Sequence, residues 1–290
     1  MFNGVGTALA TPFGKDFNVD YDALKKLCKY QLEGGVDAII VLGTTGESPV
    51  IDNAEREKIV ATVIETIEGK AKIIVGTGTN DTKKVVSLNK LAEDQKADGV
   101  LIVNPYYNKG TQDSLVEHYK YIAERTSLPI ILYNVPSRTG MNMLPETALK
   151  IAGACSNVIG MKEASGNISQ IAELISKKPN DFFVYSGNDN QTLPIMSLGG
   201  AGIVSVFSNA YPKEIKQLTT AIQNSDLKKA QELNNKYLSM MTSLFIEASP
   251  APLKYVMKKK NLCENIVRLP LIPVSEKSAK ILDKEIEKLS

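Results

Sequence analysis

Tryptophan is missing from this chain of 290 residues, histidine occurs once, at His118, and cysteine three times, at Cys28, Cys155 and Cys263. The cysteines are far apart, odd in number and without C-x-x-C spacing, which argues against a disulfide framework or a thiolate zinc site. Lone thiols of this kind fit a reducing cytosol, so a cytoplasmic location is expected. With one histidine, a transition-metal centre would need all-oxygen ligands, and no metal is expected. A Ser-His-Asp hydrolase would have to depend on His118, which lies in a helical pattern with Leu115 and Ile122 and reads as structural. An excess of either charge is lacking too: 34 basic residues face 32 acidic ones. That removes the general electrostatic case for nucleic acid or an anionic membrane as partner. No apolar run approaches the ~18 residues of a membrane span. Met1–Phe13 lacks the basic segment and apolar stretch of a secretion signal. Hydrophobic residues at 43% and charged residues at 23% exclude disorder as a description of the whole chain.

What the chain does have is a regular alternation. Short, β-rich apolar runs recur at Val5–Ala10, Ala38–Leu42, Lys72–Val75, Val100–Val103, Ile130–Tyr133, Val158–Met161, Phe182–Tyr185 and Ile203–Phe207. Near-continuous apolar runs suit parallel strands buried on both faces. Amphipathic helical patterns lie between them, with start and stop signals. Asp20 to Asp22 precede a helix that Gly34–Gly35 ends. Asp52 and Glu55 form a capping-box spacing, and Pro145 suits a first helical turn. Eight such units of roughly 28 residues predict an α/β fold of the (β/α)8 TIM-barrel class over residues 1–225. An open doubly wound sheet would give the same local alternation, usually with fewer units and often a glycine-rich nucleotide turn after its first strand. Here that turn is Thr11–Pro12–Phe13–Gly14. Residues 226–290 show no strand and read as a small C-terminal all-helical appendage: Leu227–Glu247, Leu253–Lys260 and Ser275–Leu289, with a role in packing or oligomerisation.

In a barrel, active groups come from the C-terminal ends of the strands and the loops after them. Lys162 is the most informative residue there, because it ends the run Val158–Met161, where a desolvated ammonium is costly. Burial favours the neutral amine, and a neutral amine can attack a ketone to form a Schiff base. The bland alternative is a strand-end lysine paired with Glu163. Tyr133 ends the adjacent strand and could bring a phenol for proton transfer, or simply pack its ring. Gly43–Thr44–Thr45–Gly46 offers backbone N–H groups and hydroxyls that can hold a carboxylate, or an ordinary strand–helix turn. Arg138, in the polar loop after the fifth strand, could clamp a carboxylate.

Taken together, Gly43–Thr44–Thr45–Gly46–Glu47, Pro105–Tyr106–Tyr107, Tyr133–Asn134–Val135–Pro136, Arg138–Thr139–Gly140 and Gly160–Met161–Lys162–Glu163 make the chain resemble the dihydrodipicolinate synthase family. These are pyruvate-dependent class I aldolases, a group that includes N-acetylneuraminate lyase. The resemblance runs over essentially the whole chain. It implies that Lys162 condenses with pyruvate and that the resulting enamine attacks L-aspartate-4-semialdehyde. The product is 4-hydroxy-tetrahydrodipicolinate, in the diaminopimelate route to lysine. No cofactor is implied beyond the covalent lysine–pyruvate intermediate. Tyr133, Thr45 and Tyr107 match the proton relay, with Tyr107 coming from a neighbouring subunit and Thr44 supporting it. Thr45 and Val204 match contacts to pyruvate, and Arg138, Gly187 and Asn188 match contacts to the semialdehyde. A homotetramer, built as a dimer of dimers, is implied by the same likeness.

The departures are informative. Asn188 stands where many members carry an acid. Lysine-inhibited members have histidine or other polar residues at the positions of Asn53 and Arg56 and an acid at that of Lys84, while Ser48, Asn80 and Tyr106 are retained. Lys84 would repel the ammonium of bound lysine, so weak or absent feedback inhibition is expected. The alternatives are another pyruvate aldolase, cleaving a sialic acid or a 2-keto-3-deoxy sugar acid, and a non-catalytic keto-acid sensor. Neuraminate lyases usually carry serine at the first position of the Thr–Thr pair and lack Arg–Thr–Gly. A sensor would be expected to have lost Lys162 or Tyr133.

Overall fold

Each apolar run forms a strand, because a parallel barrel sheathed in helices is dry on both faces and β-branched side chains pack well there. In the computed structural model, which describes residues 1–289, the strands are β1 (Gly4–Ala8), β2 (Ala38–Val41), β3 (Lys72–Gly76) and β4 (Gly99–Val103). They continue as β5 (Ile130–Asn134), β6 (Val158–Glu163), β7 (Phe183–Ser186) and β8 (Gly202–Ser205). Pairing is parallel and sequential, and β8 pairs back onto β1 to close the barrel. The helices around it are α1 (Tyr21–Glu33), α2 (Asn53–Ile67), α3 (Thr82–Asp94), α4 (Gln112–Ala123) and α5 (Pro136–Thr139). There follow α6 (Pro145–Ala154), α7 (Ile168–Lys177), α8 (Thr192–Ser197) and α9 (Pro212–Gln223).

Two apolar layers result from the period-two alternation of side chains. Ile39 and Val41 face the helices, while Ala38 and Ile40 join Phe2, Ile74, Leu101, Ile131, Tyr185 and Val204 inside the barrel. The caps form as their spacing predicts. Asp52 accepts from the Glu55 N–H while the Glu55 carboxylate accepts from the Asp52 N–H. Gly35 takes the left-handed conformation after α1, at φ +76°. The first and last strands end earlier than the apolar runs suggest. The N–H of Ala10 donates to Asn209 Oδ1, and those of Val206 and Phe207 donate to the Asp189 carboxylate. Side chains thus take donors that a longer ladder would have used.

Beyond the barrel lie α10 (Leu227–Ser243), α11 (Ala251–Lys259) and α12 (Glu276–Leu289). Helix α10 stops four residues short of Glu247, with Phe245 and Ile246 exposed. It packs against both α9 and α12, so the terminal helices sit on the barrel's own helical layer.

His118, on α4, is buried, with Nδ1 2.9 Å from the Thr82 hydroxyl and Nε2 without a partner among the described residues. Burial lowers its pKa from 6.5 to about 4. Between those values the unfolded chain binds a proton that the folded chain refuses, so stability falls as the pH falls from 6.5 toward 4. A difference of roughly 2–3 kcal/mol is expected. Denaturant unfolding at pH 7 and pH 4.5 checks it: His118→Gln should lose less stability on acidification than the wild type. An equal loss would remove His118 as the cause.

Candidate active site

Strand alternation decides what Lys162 faces. In register it lies beside Tyr133 of β5 and Tyr185 of β7. Its ammonium sits over the Tyr133 ring, 4.3 Å from the centroid. Lys162 is only 5% exposed, yet among the described residues its side chain makes no hydrogen bond and no salt bridge. Glu163 points to the opposite side of the sheet. There it accepts from Asn134 Nδ2 and Gln170 Nε2 at 3.2 Å and from the Ser165 N–H at 2.7 Å. Burial pushes the Glu163 carboxyl above the usual carboxylate range, opposed by these hydrogen bonds. The pairing of Lys162 with Glu163 therefore does not occur, because neighbouring strand residues cannot share a face.

After β2, Thr44–Gly46 form one 3-10 turn, and the Thr11 hydroxyl donates to Gly46 O at 2.7 Å. Thr45 is buried and Thr44 half-buried. Neither threonine hydroxyl, nor the Tyr133 hydroxyl, makes a hydrogen bond within the described residues. With the Lys162 amine these three hydroxyls make four polar groups free to bind a ligand. Thr44, Tyr133 and Arg138 line a cavity of about 360 Å³ at the C-terminal ends of β2 to β5. Arg138 sits on the single turn α5, which Pro136 starts and Gly140 ends at φ +67°. The sequence reads as loop there because one turn is too short to show a helical period.

The remaining site residues fall into three groups. Val204 lies inside the barrel in the same apolar layer as Tyr133. Gly187 and Asn188 follow β7, outside the cavity lining. The Gly187 N–H donates to Glu163 O at 2.7 Å. A Cβ at Gly187 would come within 2.6 Å of the Ala164 Cβ, so only glycine lets the loops after β6 and β7 close together. The Asn188 amide is turned to Gln191 Oε1. Tyr107 is apart from all of these: it is 90% exposed and holds a left-handed backbone at φ +71°. One chain does not bring it to the other site residues.

Two supporting groups escape sequence reasoning. Asp189 is buried and accepts from the Ser205 hydroxyl and the Val206 and Phe207 N–H groups, which ties the β7 loop to the end of β8. Burial raises its pKa, against those hydrogen bonds and the charge of Lys162. The second group is the ion pair between Glu47 and Lys254 of α11, 2.6 Å apart and both buried. Lys254 also donates to Ile266 O, and Glu47 accepts from the Arg268 N–H. The Arg268 guanidinium grips Glu55 and Val50 O. The C-terminal segment therefore anchors the threonine loop. The one signal in the sequence is a lysine inside the apolar stretch Leu253–Met257.

Comparison with known proteins bears on this arrangement. Residues 1–289 match the model of the dihydrodipicolinate synthetase family. The 4-hydroxy-tetrahydrodipicolinate synthase of Thermotoga neapolitana is 50% identical over 285 residues, covering 97% of each chain. The crystal structure of dihydrodipicolinate synthase from Thermotoga maritima superposes with a TM-score of 0.98 at 47% identity, covering 99% of this chain and 98% of that one. The enzyme of Acinetobacter baumannii, solved in complex with pyruvate, gives 0.97 at 36% identity, covering 99% of both chains.

Proposed function

The chain belongs to the dihydrodipicolinate synthetase family, and from that premise we propose how its barrel carries out the 4-hydroxy-tetrahydrodipicolinate synthase reaction. The amine of Lys162 adds to the ketone of pyruvate, and loss of water gives an imine. Loss of a methyl proton converts the imine to an enamine, whose carbon attacks the aldehyde of L-aspartate-4-semialdehyde. Cyclisation through the semialdehyde's own amine then releases Lys162. No added cofactor enters, since the protonated imine is itself the electron sink.

The observation that carries this reading is the state of Lys162: buried, unpaired and 4.3 Å from the Tyr133 ring centroid. A lysine kept for stability would have a counter-ion, because an unpaired buried charge is costly. Tyr133, Thr45 and Tyr107 form the proton relay, with Thr44 supporting it. Thr45 and Val204 hold pyruvate, and Arg138 takes the semialdehyde carboxylate with Gly187 and Asn188 nearby. Arg138 on the cavity wall favours a short acceptor that carries a carboxylate over the polyol aldehydes, which lack one, that sialic acid or sugar-acid aldolases release. A steady-state assay offering pyruvate with L-aspartate-4-semialdehyde, N-acetylmannosamine or glyceraldehyde tests the assignment. The semialdehyde should win in kcat/KM by roughly a hundredfold or more, and preference for a sugar aldehyde would overturn it.

The exposure of Tyr107 supports self-association, as a dimer in which each copy completes the other's relay and two dimers form a tetramer. Among the described residues no helix is long and apolar enough to cross a membrane, and a cytoplasmic location fits the free cysteines. Tyr107→Phe is expected to lower kcat by about 10²-fold, the scale of a lost proton-transfer group. The melting temperature should stay within about 1 °C, since an exposed hydroxyl contributes little to stability. Parallel losses of turnover and melting temperature would make Tyr107 structural.

A further inference from the structure

On the outer face of the barrel, β5 and β6 are apolar in mid-strand, at Leu132 and Met161. At the strand ends that pattern breaks. Asn134 and Glu163 stand there, 0% and 1% exposed. They are paired in register, one residue beyond the pair Tyr133 and Lys162. Successive side chains of a strand alternate between its faces. A buried polar pair therefore sits directly behind the two groups assigned to the chemistry.

This pair is the centre of a hydrogen-bond network. Asn134 Nδ2 donates to both Glu163 oxygens at 3.2 Å and to Asn142 Oδ1 at 2.8 Å. Asn134 Oδ1 accepts from Asn104 Nδ2 at 3.0 Å and from the Met143 N–H at 2.9 Å. Gln170 of α7 donates to Glu163 and accepts from Asn142 Nδ2. The Tyr119 hydroxyl donates to Asn104 Oδ1. Among the described residues no cation pairs with Glu163, although burying a lone carboxylate is costly. Apolar residues of similar volume would serve stability as well or better, so stability does not explain the network. Directional bonds add what apolar packing lacks, a single register and spacing. That matters between β5 and β6, whose ladder shifts register between Ile130 and Ile131.

We propose that Glu163 and Asn134 are positioning residues for the chemistry at Lys162. Their bond on the outer face fixes how β5 and β6 end, and so holds the Lys162 amine beside Tyr133 on the inner face. The inference rests on the reading of Lys162 as the Schiff-base nucleophile and adds the device that sets its geometry.

The test is the rate at which pyruvate and borohydride together label Lys162, with steady-state kinetics and melting temperature measured alongside. Glu163→Met removes the bonds and keeps the volume. It should form the adduct about tenfold or more slowly and lose kcat in proportion, the effect of a small misplacement of reacting groups. KM for the semialdehyde should change less than about twofold, since its contacts lie elsewhere. The melting temperature should fall by less than about 5 °C, because Asn134 and Gln170 each keep Asn142 Oδ1 as an acceptor. Glu163→Gln drops the charge but keeps an oxygen for Asn134, and should label within about threefold of the wild-type rate. A merely structural Glu163 would lower the melting temperature and leave the rate per folded chain unchanged. Gln170→Met loosens the carboxylate from α7 without altering either strand, should slow labelling about threefold, and carries the test if Glu163→Met does not fold. An unchanged labelling rate in that test, or Glu163→Gln as slow as Glu163→Met, overturns the proposal while wild type still labels. No adduct on folded wild type is a distinct result, which overturns the reading of Lys162 and this proposal with it.

Discussion

Lys162→Ala should lose at least roughly a thousandfold in kcat, with its far-UV spectrum intact. The nucleophile carries the covalent route, and what survives its removal is only binding and orientation. A thousandfold is about 4 kcal/mol of barrier, more than a packing defect beside Tyr133 could impose. Stability should hold. The Lys162 side chain is buried with no hydrogen bond and no salt bridge, so its removal breaks no direct pair, though Asp189 loses a nearby positive charge. Wild-type protein incubated with pyruvate and then reduced with borohydride should carry the reduced adduct on the peptide containing Lys162. Lys162→Ala should carry none. An adduct that persists in the variant, or fails to form on folded wild type, would falsify the Schiff-base assignment.

Lys254→Met is expected to destabilise the protein by about 3–5 kcal/mol, the cost of leaving one partner of a buried ion pair uncompensated. The side chains of Lys254 and Glu47 are 0% and 2% exposed. Burial pulls the ammonium below the usual lysine range, and the nearby Glu47 opposes that shift. Glu47 holds a left-handed backbone at φ +54° directly after the Thr44–Gly46 turn. A displaced Glu47 therefore moves the two threonines, and kcat should fall about tenfold or more even where the variant is fully folded. Glu47→Gln in the same background should restore part of the stability, with a coupling of roughly 1–3 kcal/mol in the double-mutant cycle. Denaturant unfolding at one protein concentration reads the first effect and steady-state kinetics the second. A Lys254→Met protein within about 1 kcal/mol of wild type would mean that water or rearrangement replaces the pair.

The barrel itself was legible because its signal is local. Every strand is a short apolar run between helix caps, and the count of eight excludes most open sheets. Lys162, Tyr133 and Arg138 were legible for the same reason, as polar residues standing where apolar runs end. Strand ends were less so: the first run reads through Ala10 but the ladder stops at Ala8. The Leu9 N–H still reaches Ile40 O of β2, but Asn209, 199 residues from Ala10, takes the donor after it, and no local pattern encodes a partner so distant.

The sequence alone determined the repeating architecture, the chemistry of the strand-end residues and the absence of any cysteine framework. These follow from periodicity and composition, which are properties of neighbours along the chain. Tertiary structure decided which charges meet. It turned Glu163 away from Lys162 by the pleat of β6 and brought Lys254 207 residues back to Glu47. It also left Arg56 facing a cavity with two donors idle. Electrostatic pairing depends on distance in space and on the exclusion of water, and both exist only once the barrel has closed.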